Sequence, residues 1–208
     1  MKPTQKNKKS KLTWERALPY VLLVAGMVGL LASFVLTYDK LQVLQNPSYD
    51  PPCNINPVLS CGSVMKLPQA NIFGVPNTIY GLVAFGMLTM FALALLAGAK
   101  FKKWLWLAAQ VGATMGIIFM HYLLLQSAFS IHAICPWCFA VWMVTIPVFF
   151  GISLHNIRLF ALPESRNRAV ATVAGLISKY PNELLLLWYL GVYALLLVKF
   201  WYYWSTLL

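Results

Sequence analysis

The stretch CPWCFAVWMVTIPVFFGISL, residues 135–154, places two cysteines at the start of a long apolar run. A helix of roughly 20 apolar residues crosses the hydrocarbon core of a bilayer. A C-x-x-C pair by itself fits a zinc half-site, a haem attachment or a thioredoxin-like redox couple. No His follows Cys138, which excludes the haem alternative. The run therefore predicts a membrane helix with a pair of thiols at its first turn.

The composition of the whole chain indicates an integral membrane protein. Hydrophobic residues make up 60% of it and charged residues 10%, with a mean hydropathy of +0.70. These values lie outside the range of soluble domains. Lipid offers no partners for backbone polar groups, and the apolar runs are too long for barrel strands. We predict an all-α membrane protein with five transmembrane helices, at residues 17–36, 77–97, 104–125, 135–154 and 184–204.

The basic residues predict the orientation of these helices. The chain has a net charge of +11, and its Lys and Arg residues concentrate before the first span, between the second and third, and between the fourth and fifth. Cytoplasmic segments are enriched in Lys and Arg. We therefore expect a basic cytoplasmic tail (1–16), a cytoplasmic connection (159–183) and a fifth helix within 184–208. The segments 37–76 and 126–134, which contain or adjoin all four cysteines, are then on the outer side.

The four cysteines form two pairs that could exchange electrons. Cys53 and Cys61 lie in the outward loop, while Pro136 suits a first helical turn and so makes Cys135 the predicted N-cap or its neighbour. Free N–H groups at a helix start stabilise a thiolate. Cys138 lies one turn deeper, about 4.5 Å further along the helix, within reach of a lipid-soluble oxidant. The alternatives are two disulfides that staple outer loops, or a zinc site made of four cysteines.

Several motifs together resemble the vitamin K epoxide reductase family, and its bacterial members in particular. The resemblance extends from about residue 12 to 154. It rests on CNINPVLSCG (53–62), NIFGVPN (71–77), Tyr80-Gly81 and CPWC (135–138). The family implies a four-helix bundle around a quinone, here within residues 17–158, with the fifth helix as an addition.

The resemblance also implies a relay and a cellular setting. Cys61 exchanges with Cys135, Cys53 exchanges with a separate DsbA-like protein of the thioredoxin fold, and Cys138 meets the quinone. The expected function is a thiol:quinone oxidoreductase of the bacterial inner (cytoplasmic) membrane. It would reduce menaquinone or ubiquinone and support disulfide formation in exported proteins. Two alternatives stay open: a reductase that supplies reduced quinone or acts on its epoxide, and a disulfide-stapled membrane scaffold without enzymatic activity.

The sequence signals for residues that contact the quinone are less specific than those for the four cysteines. Asn71 and Asn77 are candidates for a quinone carbonyl, although Asn77 could instead cap the second membrane helix. An interhelical hydrogen bond is the alternative for His121, which faces the bundle interior. Trp142 stands where animal relatives have a tyrosine, and Leu67 replaces a loop hydroxyl found in many relatives. The full set of expected contacts is Asn71, Phe73, Asn77, His121, Phe139 and Trp142.

Overall fold

The computed structural model describes residues 5–46, 48–72, 74–161 and 168–204, without the side chains of 5–13, 161, 168–171 and 204. The elements are, in chain order, α1 (Gln5–Gln45), α2 (Cys61–Met65), a 3₁₀ turn (Pro68–Ala70), β1 (Asn71–Ile72), β2 (Val75–Pro76), α3 (Asn77–Leu96), α4 (Lys103–Gln126), α5 (Pro136–Asn156), α6 (Arg168–Lys179), α7 (Pro181–Lys199) and α8 (Trp201–Trp204). Two π-helical turns, Ser127–Ile131 and Ile157–Ala161, continue α4 and α5.

Five helices in the described ranges are long and apolar enough to cross a membrane, which confirms the predicted all-α architecture. They are Trp14–Gln45, Asn77–Leu96, Lys103–Ile131, Pro136–Phe160 and Pro181–Lys199. Helix α1 continues to Gln45, beyond residue 36, where the first span was predicted to end and the outward loop to begin. No Gly or Pro interrupts the sequence between Leu36 and Pro47, so nothing breaks the helix there. Asp39 and Lys40 are therefore helical residues.

Helices α1, α3, α4 and α5 form the main bundle. Helix α1 packs along α3 and α5, and α4 packs along α5. The approach of α1 to α3 is close at Gly26 and Gly29, where a β-carbon would collide with Thr89 and Phe85. Small residues at such positions let membrane helices approach closely. This packing fixes α5, and with it the C-x-x-C pair, relative to α1.

The fifth membrane helix, α7, packs on the bundle rather than standing apart from it. Val192 and Leu196 of α7, with Phe200 after it, are buried in a cluster that includes Trp142 and Ile146 of α5. The Tyr189 hydroxyl of α7 also donates to the Met143 carbonyl of α5 at 2.5 Å. The fifth helix therefore supports α5 on the side of the bundle near the cysteines.

A short backbone bridge joins the segment before Cys61 to the segment before Cys135. Leu59 and Ile134 pair in a parallel bridge, in which Ser60 N donates to Ile134 O at 3.1 Å. Ile134 N donates in turn to Val58 O at 2.7 Å. This bridge sets the distance between the two cysteine-containing segments.

Candidate functional site

Cys135 is the N-cap of α5, as the sequence predicts. Its Sγ accepts a hydrogen bond from Cys138 N at 3.4 Å, and Pro136 occupies the first turn. The pKa of the Cys135 thiol is lowered, first by a hydrogen bond from the Cys138 thiol and then by the backbone N–H groups of Cys138 and Trp137. Burial and the charge of Asp39 act in the opposite direction. The net effect favours the thiolate, which is the nucleophile in disulfide exchange.

The structure brings the two cysteine pairs together through Cys61 and Cys135. Cys53 and Cys61 form a disulfide, whereas Cys135 and Cys138 are free thiols. The Cys135 Sγ lies 3.3 Å from the Cys61 Sγ. Reacting atoms at roughly 3 to 3.5 Å are close enough to attack when aligned. Cys61 and Cys135 are 0% and 2% exposed, so this contact is shielded from solvent.

The loop around Cys61 is held by side-chain hydrogen bonds. Asn54 Oδ1 accepts from Gly62 N at 2.8 Å and from Ser60 Oγ at 2.9 Å. Ser60 is the N-cap of α2, and its Oγ accepts from Ser63 N at 3.1 Å. A β-carbon at position 62 would collide with the Asn54 amide, so glycine permits this close contact. Asn54 thus fixes Cys61 at the start of α2.

The extension of α1 places two charged residues beside the cysteines. Asp39 Oδ1 accepts from the Tyr49 hydroxyl at 3.0 Å, and Asp39 Oδ2 lies 3.9 Å from the Cys53 Sγ. Lys40 Nζ donates to the Met65 carbonyl at 2.6 Å. Neither residue was expected from the sequence, because the first span was predicted to end at residue 36. The available signal was an ionisable pair directly after an apolar span, where such residues often have a function.

A cavity of about 80 Å³ lies against the cysteines. Three of its lining residues are Cys61, Cys135 and Cys138, so cysteines of both pairs line one space. The remaining walls are mainly apolar, with a few polar groups among them: Leu36, Val64, Met65, Gln69, Ala70, Asn77, Thr78, Leu123, Ser127, Ile131 and Trp142. The described residues include no group of three or more His, Cys, Asp or Glu side chains that could hold a metal ion.

The sequence model of the vitamin K epoxide reductase family matches residues 20–152. The chain belongs to this family. Members are membrane oxidoreductases linked to quinones, and this chain is a multi-pass membrane protein of that kind. No curated protein matches the chain. The family match covers α3, α4 and most of α1 and α5, and it ends before α7, so the fifth helix lies outside it.

Two of the expected quinone contacts, Asn77 and Trp142, line the cavity of this family member. Asn77 Oδ1 accepts from Ile72 N at 3.1 Å, and its Nδ2 donates to Gln69 O at 2.7 Å. The capping alternative for Asn77 is wrong, because the N-cap of α3 is Pro76. Instead, the Asn77 side chain holds the preceding loop against the cavity. Phe73, another expected contact, lies outside the described residues.

Asn71, Phe139 and His121 do not line this cavity. Asn71 lies in β1, and Phe139 packs with its ring centroid 6.4 Å from that of Trp142. His121 Nε2 accepts from Trp188 Nε1 at 3.2 Å, which confirms the interhelical hydrogen bond considered for it. Quinone contact by these three residues stays a prediction.

The cavity also exposes polar residues that the sequence did not single out. Gln69 Oε1 is buried and has no hydrogen-bond partner. Buried polar atoms rarely lack a partner, so this oxygen is available to accept a hydrogen bond from a water or a ligand in the cavity. Thr78 Oγ1 accepts from Thr37 Oγ1 at 2.8 Å, while the Ser127 hydroxyl donates to the Ala133 carbonyl. Gln69 lies just before the NIFGVPN motif (71–77), but nothing in the sequence predicts the direction of the Gln69 side chain.

The residues that line the cavity suit a quinone ring chemically, but the cavity in this structure is too small to hold one. Apolar walls suit the ring, and Gln69 Oε1, an acceptor, can receive a hydrogen bond from a hydroxyl of the quinol form. At about 80 Å³, however, the cavity is smaller than the roughly 300 to 1,000 Å³ of typical ligand pockets. Binding therefore requires side chains of the wall to move outward.

Proposed function

We propose that this protein is a thiol:quinone oxidoreductase that transfers electrons from a soluble dithiol partner to a membrane quinone. The observation that supports it best is the 3.3 Å contact between Cys61 of the loop disulfide and the free Cys135. One pair is oxidised and the other reduced at this contact. The arrangement matches a relay in which the loop pair is ready to accept electrons while the helix pair is ready to donate them.

The proposed exchange conserves electrons and protons at each step. A partner dithiol reduces the Cys53–Cys61 disulfide and becomes a disulfide itself. When Cys135 and Cys138 are oxidised, Cys61 thiolate attacks Cys135, and the bond between Cys135 and Cys138 breaks with its electron pair on Cys138. Cys53 then attacks Cys61 and releases Cys135 as a thiolate. The two cysteines of α5 are again reduced, and the loop disulfide has re-formed.

Electrons leave the protein at Cys138 in this proposal. Cys138 lines the cavity and lies one helical turn beyond Cys135 on α5. A bound quinone supplies an acceptor of two electrons and two protons. Asn77 Nδ2 is proposed to donate its second hydrogen to a quinone oxygen, Gln69 Oε1 to accept from a hydroxyl once the quinol forms, and Trp142 to support the ring. A menaquinone or a ubiquinone satisfies these contacts equally.

The donor is proposed to be a separate DsbA-like protein of the thioredoxin fold. We further propose a bacterial inner membrane location, with the N-terminus in the cytoplasm and the cysteines on the outer side. Support comes from the basic segments that alternate with the cysteine-containing ones. An oxidising compartment is also where a structural or catalytic disulfide persists. Cys53 is only 8% exposed, so the partner must displace part of the loop to reach it.

One assay tests this function. Purified protein in detergent is mixed with a reduced thioredoxin-fold protein and a short-chain menaquinone, and quinol formation is followed optically. We expect catalytic turnover that is lost in Cys138→Ala, because its thiol is the proposed exit for electrons. The Ser48→Ala variant, in an exposed turn outside the site, is the control. Undiminished turnover in Cys138→Ala would contradict the proposal. Electron transfer that runs only from quinol to the disulfide of the partner would show that the proposed direction is wrong.

A further inference from the structure

Asp39 is a buried carboxylate at the cysteine end of α1 that the relay above does not use. Its side chain is 3% exposed. Its Oδ1 accepts from the Tyr49 hydroxyl at 3.0 Å, and no salt bridge within the described ranges includes it. Burying a carboxylate without a cation is costly. Such residues near a membrane span commonly have a function.

The second oxygen of Asp39 faces the sulfur that must lose a proton. Asp39 Oδ2 lies 3.9 Å from the Cys53 Sγ. In the disulfide this sulfur has no hydrogen, so the separation is a contact rather than a hydrogen bond. Once the disulfide is reduced, the Cys53 thiol gains a proton, and Asp39 Oδ2 is the acceptor beside it.

The neighbours of Asp39 keep this oxygen available. Lys40 Nζ donates to the Met65 carbonyl instead of pairing with Asp39. Burial, followed by the hydrogen bond to Asp39, raises the pKa of Tyr49, so its phenol stays a donor and orients the carboxylate. Tyr38 lies close enough to Tyr49 to interact electrostatically. Tyr49 thus holds Oδ1 while Oδ2 faces Cys53.

We propose that Asp39 is the general base that takes the proton of Cys53 when the loop disulfide re-forms. The inference rests on the proposed function, since it assigns a further catalytic residue to one step of that relay. The proton of Cys53 passes to Asp39 Oδ2, and the sulfur electron pair attacks Cys61. The bond between Cys61 and Cys135 breaks, and its electron pair leaves on Cys135 as a thiolate. One disulfide forms, one breaks, and the proton stays on Asp39 until solvent removes it.

The position of Asp39 also couples this proton to the leaving group. The negative charge of Asp39 disfavours the Cys135 thiolate, against the hydrogen bonds at the start of α5. Protonation of Asp39 removes that charge as the Cys135 thiolate is released. The same transfer therefore activates the attacking sulfur and stabilises the leaving one.

A two-phase quinol count tests the proposal on the full chain. Fully reduced protein in detergent is mixed with excess short-chain menaquinone, without a partner. Cys135 and Cys138 yield the first quinol, whereas the second requires internal exchange through Cys61 and Cys53. We expect Asp39→Asn to slow the second phase relative to the first by at least about tenfold, within the usual range of general base catalysis. Glu15→Gln, an acid-to-amide change at the far end of α1, is the matched control.

The pH dependence separates catalysis from simple damage to the loop. In Asp39→Asn, the second phase should accelerate about tenfold per pH unit, because only ionised Cys53 then reacts. The wild-type second phase should change little near neutral pH, and Asp39→Glu should restore part of the rate. Equal phase ratios in Asp39→Asn and Glu15→Gln, or a loss in Asp39→Asn that is the same at every pH, would overturn the assignment. Absence of any quinol from wild-type protein would instead contradict the proposed function.

Discussion

The two cysteine pairs lie next to each other but are held in different ways. Cys135 and Cys138 occupy the first turn of α5, which the membrane bundle fixes along its length. Cys53 and Cys61 lie in a loop with little regular structure, positioned by Asn54 and by the backbone bridge at Leu59. The helix pair is part of a long membrane helix, whereas the loop pair is held by local polar contacts and by a small buried cluster with Leu36, Met65 and Cys135.

This difference matches the different partners of the two pairs. A pair that reduces a membrane quinone must stay at a fixed place beside the cavity. A pair that reacts with a soluble protein must become accessible, and Cys53 is buried in the present state. Segments with few buried apolar contacts open most readily. The weaker anchoring of the loop is therefore a condition for its proposed role.

Replacing Cys61 or Cys135 gives the largest expected contrast between the pairs. Either alanine variant should lower partner-dependent turnover by at least about a thousandfold, as loss of a nucleophile does. Only Cys61→Ala should still reduce one equivalent of quinone, because its α5 pair is intact. Stopped-flow quinol measurements on reduced protein check this. Equal loss of that first equivalent in both variants would show that the pairs do not divide the reaction.

Changing Cys138 tests how the helix pair is activated. The Cys138 thiol donates the hydrogen bond that contributes most to the lowered pKa of Cys135. That bond stabilises the charged form, so Cys138→Ala should raise the pKa of Cys135 and leave less thiolate at neutral pH. Cys138→Ser keeps a donor and is the matched control, with a smaller rise. Thiolate absorbance against pH measures both, and identical titrations would contradict the assigned cause.

Removing the Asn54 amide should destabilise the loop that holds Cys53 and Cys61 without affecting Cys135 and Cys138. Asn54→Ala leaves the Gly62 N–H without its acceptor, which costs about 1 to 3 kcal/mol when buried. We expect slower internal exchange and a lower melting temperature, with normal reduction of the first quinone equivalent. Asn46→Ala, whose side chain accepts from Ser48 N in an exposed turn, serves as control. A slower first equivalent in Asn54→Ala would mean that the loop also shapes the helix pair.

The smallest expected effect concerns the link between the loop and α8, the short helix that directly follows the fifth membrane helix. Asn56 Nδ2 donates to the Tyr203 hydroxyl at 2.9 Å, and Asn56 Oδ1 accepts from Leu59 N at 2.8 Å. Tyr203→Phe removes one partly buried hydrogen bond, worth about 0.5 to 1.5 kcal/mol. Hydrogen exchange should become faster in residues 56–60 and stay unchanged in α5. Unchanged hydrogen exchange in residues 56–60 would show that the contact with Tyr203 does not stabilise the loop.

The sequence was sufficient for the features that depend on local chemistry. Apolar runs predicted the five membrane helices, and the Cys135-Pro136 step predicted the N-cap of α5. Both follow from short-range rules about burial and helix starts. The family resemblance is likewise confirmed by the match over residues 20–152.

The features that the sequence missed depend on contacts distant along the chain. Asp39 became visible only once α1 was seen to extend beside Cys53. The cavity brings Gln69, Leu123 and Trp142 together from three separate segments. The interhelical hydrogen bond considered for His121 is confirmed, but the sequence did not identify its partner, Trp188 of the fifth helix. Side-chain direction in an irregular loop and pairing between helices are set by the assembled bundle.

The exchange between Cys61 and Cys135 is the central claim, and disulfide trapping tests it most directly. The double variant Cys53→Ala/Cys138→Ala retains only these two thiols, whose sulfurs lie 3.3 Å apart in the structure. Mild oxidation should produce an intramolecular disulfide between Cys61 and Cys135, identified by mass spectrometry of the joined peptides. The matched variant Cys61→Ala/Cys135→Ala, which retains Cys53 and Cys138, should form far less. Free thiols or intermolecular dimers in the first variant would contradict the account.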